Sequence, residues 1–275
     1  MKLGCTMYSF NRQARAGEIG IEGFLDYCGG IGLDSVDLLS YFWTDQAAEM
    51  AAAPELLRRN HLSLAAYAVG NNFVQAEPEA HAVQIQMVKD GVDTAAALGA
   101  PVLRVFGGSR PKPGSAIGSP AEALKLAIDG LTTCAAYAAN KGVVLGVENH
   151  GGLPGTAAEV RQVLAAVNSP ALRLIFDVGN FVSVGDDPVA AARDLAPWVA
   201  HVHLKDLGAA PAEAGSRREA TPLGDGVINL AGVFRVLHDH HYMGSLAIEY
   251  EGKLDPSDAV RRSAAHVRTL LAELA

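Results

Sequence analysis

Strand-like and helix-like segments alternate along this 275-residue sequence, and the alternation limits the folds open to the chain more than any other feature. The predicted strands are Leu3–Ser9, Ser35–Leu39, Leu62–Val69, Pro101–Phe106, Val143–Glu148, Leu172–Asp177, Val199–Leu204 and Ser245–Tyr250. The predicted helices are Ile19–Gly30, Gln46–Asn60, Pro78–Leu98, Pro120–Asn140, Thr156–Val167, Pro188–Leu195, Leu230–His240 and Ser257–Leu274. Eight successive strand–helix units predict an α/β fold of the (β/α)8 type, the parallel eight-stranded TIM barrel.

An open, doubly wound parallel sheet is the alternative fold with the same alternation of elements. Such a sheet is expected to carry a glycine-rich phosphate-binding turn after its first strand, and the sequence has Ser9-Phe10-Asn11-Arg12 there. The barrel is therefore the better prediction. Because no linker rich in Pro, Ser or Gly divides the chain, we predict a single domain over residues 1–275.

Composition predicts a cytoplasmic protein that binds neither membranes nor nucleic acid. The three cysteines are scattered without CxxC spacing, which fits a reducing compartment and excludes a disulfide framework or a cysteine zinc site. The apolar run at the N-terminus is too short for a signal peptide, and no run is long enough to span a bilayer. The net charge of −8 disfavours a polyanionic partner. Whether the Ala-rich helices pair barrels into a homo-oligomer stays open.

Four consecutive predicted strands end on polar side chains, namely Glu148, Asp177, His203 and Glu249. Since side chains alternate along a strand, each of these residues lies on the face opposite the wholly apolar one and points into the barrel. The carboxyl ends of barrel strands are where such enzymes place their chemistry. A single strand-end acid is equally compatible with exposure to solvent, but the recurrence on four neighbouring strands favours a shared site. His201 has the same inward face one layer deeper, where we expect a hydrogen-bonded core histidine.

Three carboxylates held this close would repel one another and could not all stay ionised without a cation. Three oxygen ligands and one imidazole, with no thiolate, suit Mn²⁺, Co²⁺, Fe²⁺ or Mg²⁺, and Zn²⁺ is compatible as well. The sequence therefore predicts one divalent metal ion, with Mn²⁺ as the first choice, held by Glu148, Asp177, His203 and Glu249.

The motifs around these strand ends resemble the xylose isomerase-like TIM-barrel superfamily, which includes sugar isomerases and epimerases, inosose dehydratases and endonuclease IV proteins. The matching segments are Glu148-Asn149-His150-Gly151-Gly152, Asp177-Val178-Gly179-Asn180, His201-Val202-His203-Leu204-Lys205-Asp206, Leu223-Gly224-Asp225-Gly226-Val227-Ile228 and Gly244-Ser245-Leu246-Ala247-Ile248-Glu249-Tyr250-Glu251. Carried over by motif, the resemblance implies the same four metal ligands. It also implies that Glu148 and Glu249 act as general base and acid, while Asp177 and His203 mainly hold the metal.

The resemblance implies a metal-dependent isomerase or epimerase of a small sugar or keto-sugar. In such enzymes the metal chelates a ketose carbonyl and a neighbouring hydroxyl, and two glutamates exchange the proton of an ene-diolate. The same enolate chemistry serves the main alternative, a dehydratase or lyase acting on an inosose or a 3-keto glycoside. A DNA-repair nuclease is a further alternative, and Asn180 counts against it because many relatives have His at that position. The last alternative is a non-catalytic sugar-binding barrel, for which an intact ligand set is poor evidence.

Four more residues near the strand ends are predicted to bind the substrate. His150 follows Glu148 on a glycine-flanked loop, where a plain loop hydrogen bond is the alternative, and Asn180 replaces the usual histidine. Lys205 leaves the seventh strand, where it either neutralises a developing oxyanion or pairs with Asp206 in solvent. Arg104 is a charged residue in a buried strand, so it either binds substrate oxygens or forms a structural ion pair.

Overall fold

Eight parallel strands close into a barrel in the computed structural model, which describes residues 1–210 and 218–274. The strands are β1 (Lys2–Thr6), β2 (Ser35–Leu39), β3 (Ser63–Ala68), β4 (Val102–Val105), β5 (Val144–Glu148), β6 (Leu172–Asp177), β7 (Val199–Leu204) and β8 (Ser245–Ile248). Each strand pairs with its neighbours in sequence, and β1 pairs with β8 to close the barrel. The predicted α/β class and the (β/α)8 TIM-barrel architecture are confirmed.

A helix follows each strand and packs on the outside of the barrel. These helices are α1 (Ile21–Gly30), α2 (Gln46–Arg59), α3 (Pro78–Leu98), α4 (Pro120–Lys141), α5 (Ala157–Val167), α6 (Pro188–Leu195), α7 (Leu230–Asp239) and α8 (Pro256–Ala272). A capping box starts α5, because Thr156 and Glu159 each accept a backbone N–H of the other. Gly99 and Gly142 end α3 and α4 in the left-handed conformation that glycine adopts most readily. Among the described helices, none is long and apolar enough to cross a membrane.

The largest departures from the predicted strand ends are in β1 and β8, and the connection after β6 contains a helix that was not predicted. β1 stops at Thr6, because the Thr6 hydroxyl accepts the Tyr8 N–H and starts a 3-10 turn over Met7–Phe10. β8 stops at Ile248 rather than Tyr250. A short helix that the sequence did not predict, Val178–Ser183, follows β6 directly, and the Asp177 carboxylate caps it.

The long loop after β7 is ordered around one buried carboxylate. Its two short strands, Asp206–Leu207 and Ala220–Thr221, pair in antiparallel fashion, where the sequence predicted only a loop. The Asp206 carboxylate accepts four backbone N–H groups, which belong to Leu207, Gly224, Gly226 and Ile228. A carboxylate satisfied in this way fixes the loop without a counter-charge.

Apolar side chains fill part of the barrel interior, where Ala66, Val102 and Ile175 pack together. Nearer the strand N-termini, the buried Ser35 and Ser245 hydroxyls are hydrogen-bonded to each other. The buried titratable side chains of the interior lie toward the carboxyl ends of the strands, which is where folds of this type place a chemical site.

Gly146 in β5 lies at a tightly packed point of this interior, because a Cβ atom at this position would collide with the Ile175 side chain. We expect Gly146→Ala to lower the free energy of unfolding by about 1–3 kcal/mol through overpacking. Gly30→Ala is the matched control, since a Cβ at this last residue of α1 meets no atom within 4 Å. Urea unfolding of both variants measures the difference, and equal midpoints would show that the interior is not close-packed at Gly146.

Candidate metal centre

Four strand-end side chains converge at the carboxyl end of the barrel, as the sequence predicts. Glu148 ends β5, Asp177 ends β6, His203 lies in β7 and Glu249 follows β8. One donor atom from each of them lies within 4.8 Å of the others, and all four side chains are more than nine-tenths buried. Asp177 and His203 are register partners on adjacent strands, so the sheet itself places them side by side.

Asn149, a residue to which the sequence assigned no role, fixes two of these strand ends against each other. Its fully buried amide donates to the Asp177 carbonyl at 3.0 Å and accepts the Asp177 N–H at 2.8 Å. These two bonds lock the end of β5 to the end of β6, so that Glu148 and Asp177 stay neighbours. The sequence did offer a signal for Asn149. It stands immediately after the predicted acid Glu148 and belongs to the motif that carries the family resemblance.

Three donor atoms of the cluster face the centre without a hydrogen bond in the described part of the chain. They are Asp177 Oδ2, His203 Nδ1 and Glu249 Oε2. His203 Nδ1 lies 3.0 Å from Glu249 Oε2 and 3.5 Å from Glu148 Oε1. The Lys205 ammonium lies near two of these atoms, but none of the three makes a hydrogen bond within the described residues, and a cation placed among them would satisfy all three at once. The donor set therefore fits a divalent metal ion.

The charges at this end of the barrel lead to the same result. The buried carboxylates that meet here are Asp37, Glu148, Asp177 and Glu249. Two permanent cations, Arg104 and Lys205, oppose them, which leaves two negative charges without compensation. One divalent ion supplies that charge, with both histidines then neutral.

Without a cation, the same electrostatics draw protons into the site. Burial, opposed by Lys205 and assisted by the nearby Glu148 and Glu249, raises the pKa of Asp177 to about 7. Burial on its own lowers the pKa of His203, but Glu249 and Glu148 outweigh it and hold this pKa well above its ordinary value. Both groups must release protons before they bind a metal.

Arg104, one of the predicted substrate-binding residues, forms an ion pair inside the barrel. Its Nε lies 3.3 Å from Glu148 Oε2, and its guanidinium stacks 4.1 Å from the centre of the Phe106 ring. A further N–H donates to the Val69 carbonyl at 3.0 Å. Of the two roles predicted for Arg104, the structure shows the structural ion pair. Its partner, Glu148, is itself a candidate metal ligand.

Lys205 is buried among acids rather than solvated. Its ammonium lies 2.6 Å from Glu251 Oε1, 3.1 Å from Asp177 Oδ2 and 3.6 Å from Glu249 Oε2. The alternative pairing with Asp206 is wrong, since that carboxylate is taken up by loop N–H groups. Lys205 is therefore a fixed positive charge at the edge of the centre.

Asn180 and His150 have different places in the site. The Asn180 side-chain amide donates to Glu148 Oε1 at 3.3 Å, so this residue contacts the centre. His150 is exposed, stacks on Phe106 at 4.7 Å between ring centres, and donates its backbone N–H to the Pro154 carbonyl. Within the described chain no hydrogen bond or ion pair joins the His150 side chain to the four converging residues, so its contact with a substrate stays a prediction.

His201 has the predicted role of a satisfied core histidine, and its partner is a residue that the sequence analysis missed. His201 Nε2 lies 2.8 Å from Oδ2 of Asp37, an inward-facing residue of β2. The same oxygen lies 3.3 Å from His203 Nε2. The available signal was an acid within the otherwise buried strand β2, the same kind of signal that singled out Arg104.

Metal affinity is expected to depend steeply on pH because protons compete for two of the ligands. We expect Mn²⁺ to bind at least about tenfold more weakly at pH 6 than at pH 7, since His203 must lose one proton and Asp177, with a pKa of about 7, loses part of another. Titration calorimetry in buffers of different ionisation enthalpy measures the affinity and the protons released. Affinity that does not change with pH would contradict the assigned ligands.

Several solved structures share the fold over nearly the whole chain. The crystal structure of the probable 3-DHS dehydratase AsbF from Bacillus anthracis superposes on 98% of this chain and over 99% of the AsbF chain, with a TM-score of 0.80 and 18% identity. A D-tagatose 3-epimerase-like protein matches 100% of both chains, with a TM-score of 0.79 and 18% identity. The IolI protein with a bound zinc atom covers 99% of both chains, with a TM-score of 0.80 and 17% identity. Identities this low establish the fold alone.

Curated proteins with similar sequences include inosose dehydratases. That of Clostridium beijerinckii is 29% identical over 142 residues, which are 47% of this chain and 48% of the relative. The chain thus matches about half the length of such a relative. A family model described as xylose isomerase-like TIM barrel matches residues 25–270, which confirms the resemblance in the sequence motifs. This chain therefore belongs to the xylose isomerase-like TIM barrel family.

Proposed function

We propose that this protein is a metal-dependent isomerase or epimerase that moves a proton on a small sugar or keto-sugar. The observation that carries the proposal is the placement of two buried glutamates around one cation-binding centre. Glu148 and Glu249 come from β5 and from the end of β8, three strands apart, and both face His203 Nδ1. Two carboxylates around one substrate position can remove a proton from one place and return it to another.

A divalent ion, when bound, supplies Lewis acidity toward a carbonyl and its neighbouring hydroxyl. Neighbouring positive charges keep the Glu148 carboxylate ionised, so that it can accept a proton. Burial tends to raise the pKa of Glu148, but His203 and Arg104 outweigh that effect and hold the pKa below its ordinary value. Glu148 is therefore ionised at neutral pH. Arg104 at one carboxylate oxygen and Asn180 at the other restrict its orientation.

Glu249 is prepared in a similar way on the other side of the centre. Burial tends to raise its pKa, and Lys205 and His203 outweigh that effect so that the pKa is lowered. In the proposed cycle one glutamate takes the proton from carbon, the other takes a proton from solvent and delivers it to the ene-diolate, and the first then releases its proton to solvent. Delivery to the opposite face of the same carbon gives an epimer, and delivery to the neighbouring carbon gives an isomer.

A small polar cavity beside the centre fits a hydroxylated substrate. It measures about 110 Å³ and lies between the loops that follow β1 and β8, where Tyr8, Asn11, Arg12 and Glu251 line it. Glu251 joins this cavity to the centre through its 2.6 Å contact with Lys205. The volume equals that of about three to four liquid waters, so it has room for a hydroxylated end of a sugar rather than for a large group.

Solvent deuterium exchange tests the acid–base assignment. With Mn²⁺ present and a ketohexose or an inosose as substrate, we expect Glu148→Gln and Glu249→Gln each to slow exchange at carbon by at least about 100-fold. Glu55→Gln is the matched control, because Glu55 is exposed and pairs only with Arg58 in the surface helix α2. Because both glutamates are also candidate ligands, bound metal is measured in every variant. Wild-type exchange rates in both metal-loaded variants would refute the assignment.

Dehydration is the second candidate function, and Lys205 together with the inosose dehydratase relatives favours it. Burial tends to lower the pKa of Lys205, but Asp177, Glu249 and Glu251 hold it well above its ordinary value. A permanently charged ammonium at the edge of the centre can stabilise a departing hydroxide. Both candidates share the first proton transfer, so they differ only in what the enolate does next.

Product analysis of an inosose reaction separates the two candidates. A dehydratase gives a product that is lighter by one water in mass spectra, whereas an epimerase gives an isomer of equal mass. If Lys205 assists departure of hydroxide, Lys205→Met lowers water loss more than it lowers deuterium exchange. An equal decrease in both would mean that Lys205 serves the centre in general and not the leaving group.

A further inference from the structure

Asp37 occupies a position that neither the sequence motifs nor the proposed reaction accounts for. It lies in β2, on the other side of the barrel from β7, and is almost completely buried. The register between β2 and β3 shifts beside Asp37, and the extra residue, Ala65, lies in β3. Strand irregularities of this kind are common near functional sites. Here the carboxylate reaches across the interior to His201 and His203.

We infer that Asp37 is a positioning residue that presents His203 Nδ1 to the metal ion. Asp37 Oδ2 lies 3.3 Å from His203 Nε2, and a carboxylate oxygen at that distance pairs with a ring nitrogen that carries hydrogen. A neutral imidazole with its hydrogen on Nε2 has a free lone pair on Nδ1. Nδ1 is the atom that faces Glu148 and Glu249.

His201 holds Asp37 in place for this task. Its Nε2 lies 2.8 Å from the same oxygen, and its ring meets the His203 ring edge to face at 5.2 Å between centres. One hydrogen bond would let the carboxylate swing, whereas two rings from the same strand face define its position. Metal-binding histidines commonly gain orientation and affinity from such a partner on the other ring nitrogen.

A separate metal ion held by Asp37, His201 and His203 is the competing interpretation, because the three residues also form a compact donor group. One feature favours hydrogen bonds instead. Both ring nitrogens approach a single carboxylate oxygen, at 2.8 and 3.3 Å, so Asp37 Oδ2 already accepts from His201 and lies against His203.

Calorimetric titration with Mn²⁺ tests the inference, which rests on the proposed function only for the identity of the ligands. We expect one ion per wild-type chain and a 10- to 100-fold weaker affinity in Asp37→Asn, a range typical for loss of such a partner. Asp34→Asn is the matched control, since Asp34 is exposed just before the same strand and its side chain accepts the Leu3 N–H. Wild-type affinity in Asp37→Asn would overturn the inference, and so would two ions per wild-type chain with one of them lost in the variant.

Nitrogen NMR of the wild-type chain loaded with Zn²⁺ gives a second measurement that needs no variant to fold. We expect His203 to carry hydrogen on Nε2 and metal on Nδ1, and the reverse assignment would overturn the inference. The proposed function can fail separately. Metal binding with the expected Asp37 dependence but no deuterium exchange would refute the isomerase while leaving the positioning role intact.

Discussion

Mutual repulsion among buried carboxylates is the constraint on which the arrangement of side chains at the carboxyl end of this barrel depends. Glu148, Asp177 and Glu249 lie within a few ångströms of one another in a region almost closed to water. Arg104 and Lys205 offset only part of this charge, which is why Asp177 and His203 tend to hold protons in the absence of a cation. A bound divalent ion would offset the remaining negative charge. The arrangement that favours metal binding therefore lowers the stability of the metal-free protein.

The surrounding contacts fix the carboxylates against this repulsion. The Asn149 side chain joins the ends of β5 and β6 through two hydrogen bonds to the Asp177 backbone. Asp177 caps the short helix Val178–Ser183 through Oδ1, which leaves Oδ2 facing the centre. Asp206 organises the loop after β7 without drawing on the charges of the centre. Each of these residues satisfies backbone groups locally, so the atoms that face the centre remain available.

The period of two along a strand explains how much of the fold and the site was predictable. Glu148, Asp177 and His203 follow from alternation and from their place at strand ends, both of which are local properties of the sequence. Pairing across the barrel is not local. Asp37 and His201 are 164 positions apart, and nothing in either segment alone indicates the other. For Lys205, an ion pair with its neighbour Asp206 was one of the two predicted alternatives. Adjacent residues in extended backbone point in opposite directions, which argues against such a pair.

Anomalous X-ray diffraction from crystals grown with Mn²⁺ is the most direct measurement of the shared cation. A single peak is expected within bonding distance of Glu148, Asp177, His203 Nδ1 and Glu249, with Asp37 still hydrogen-bonded to His203 Nε2. A crystal without a peak among these four side chains, at saturating Mn²⁺ and pH 8, would contradict the metal centre.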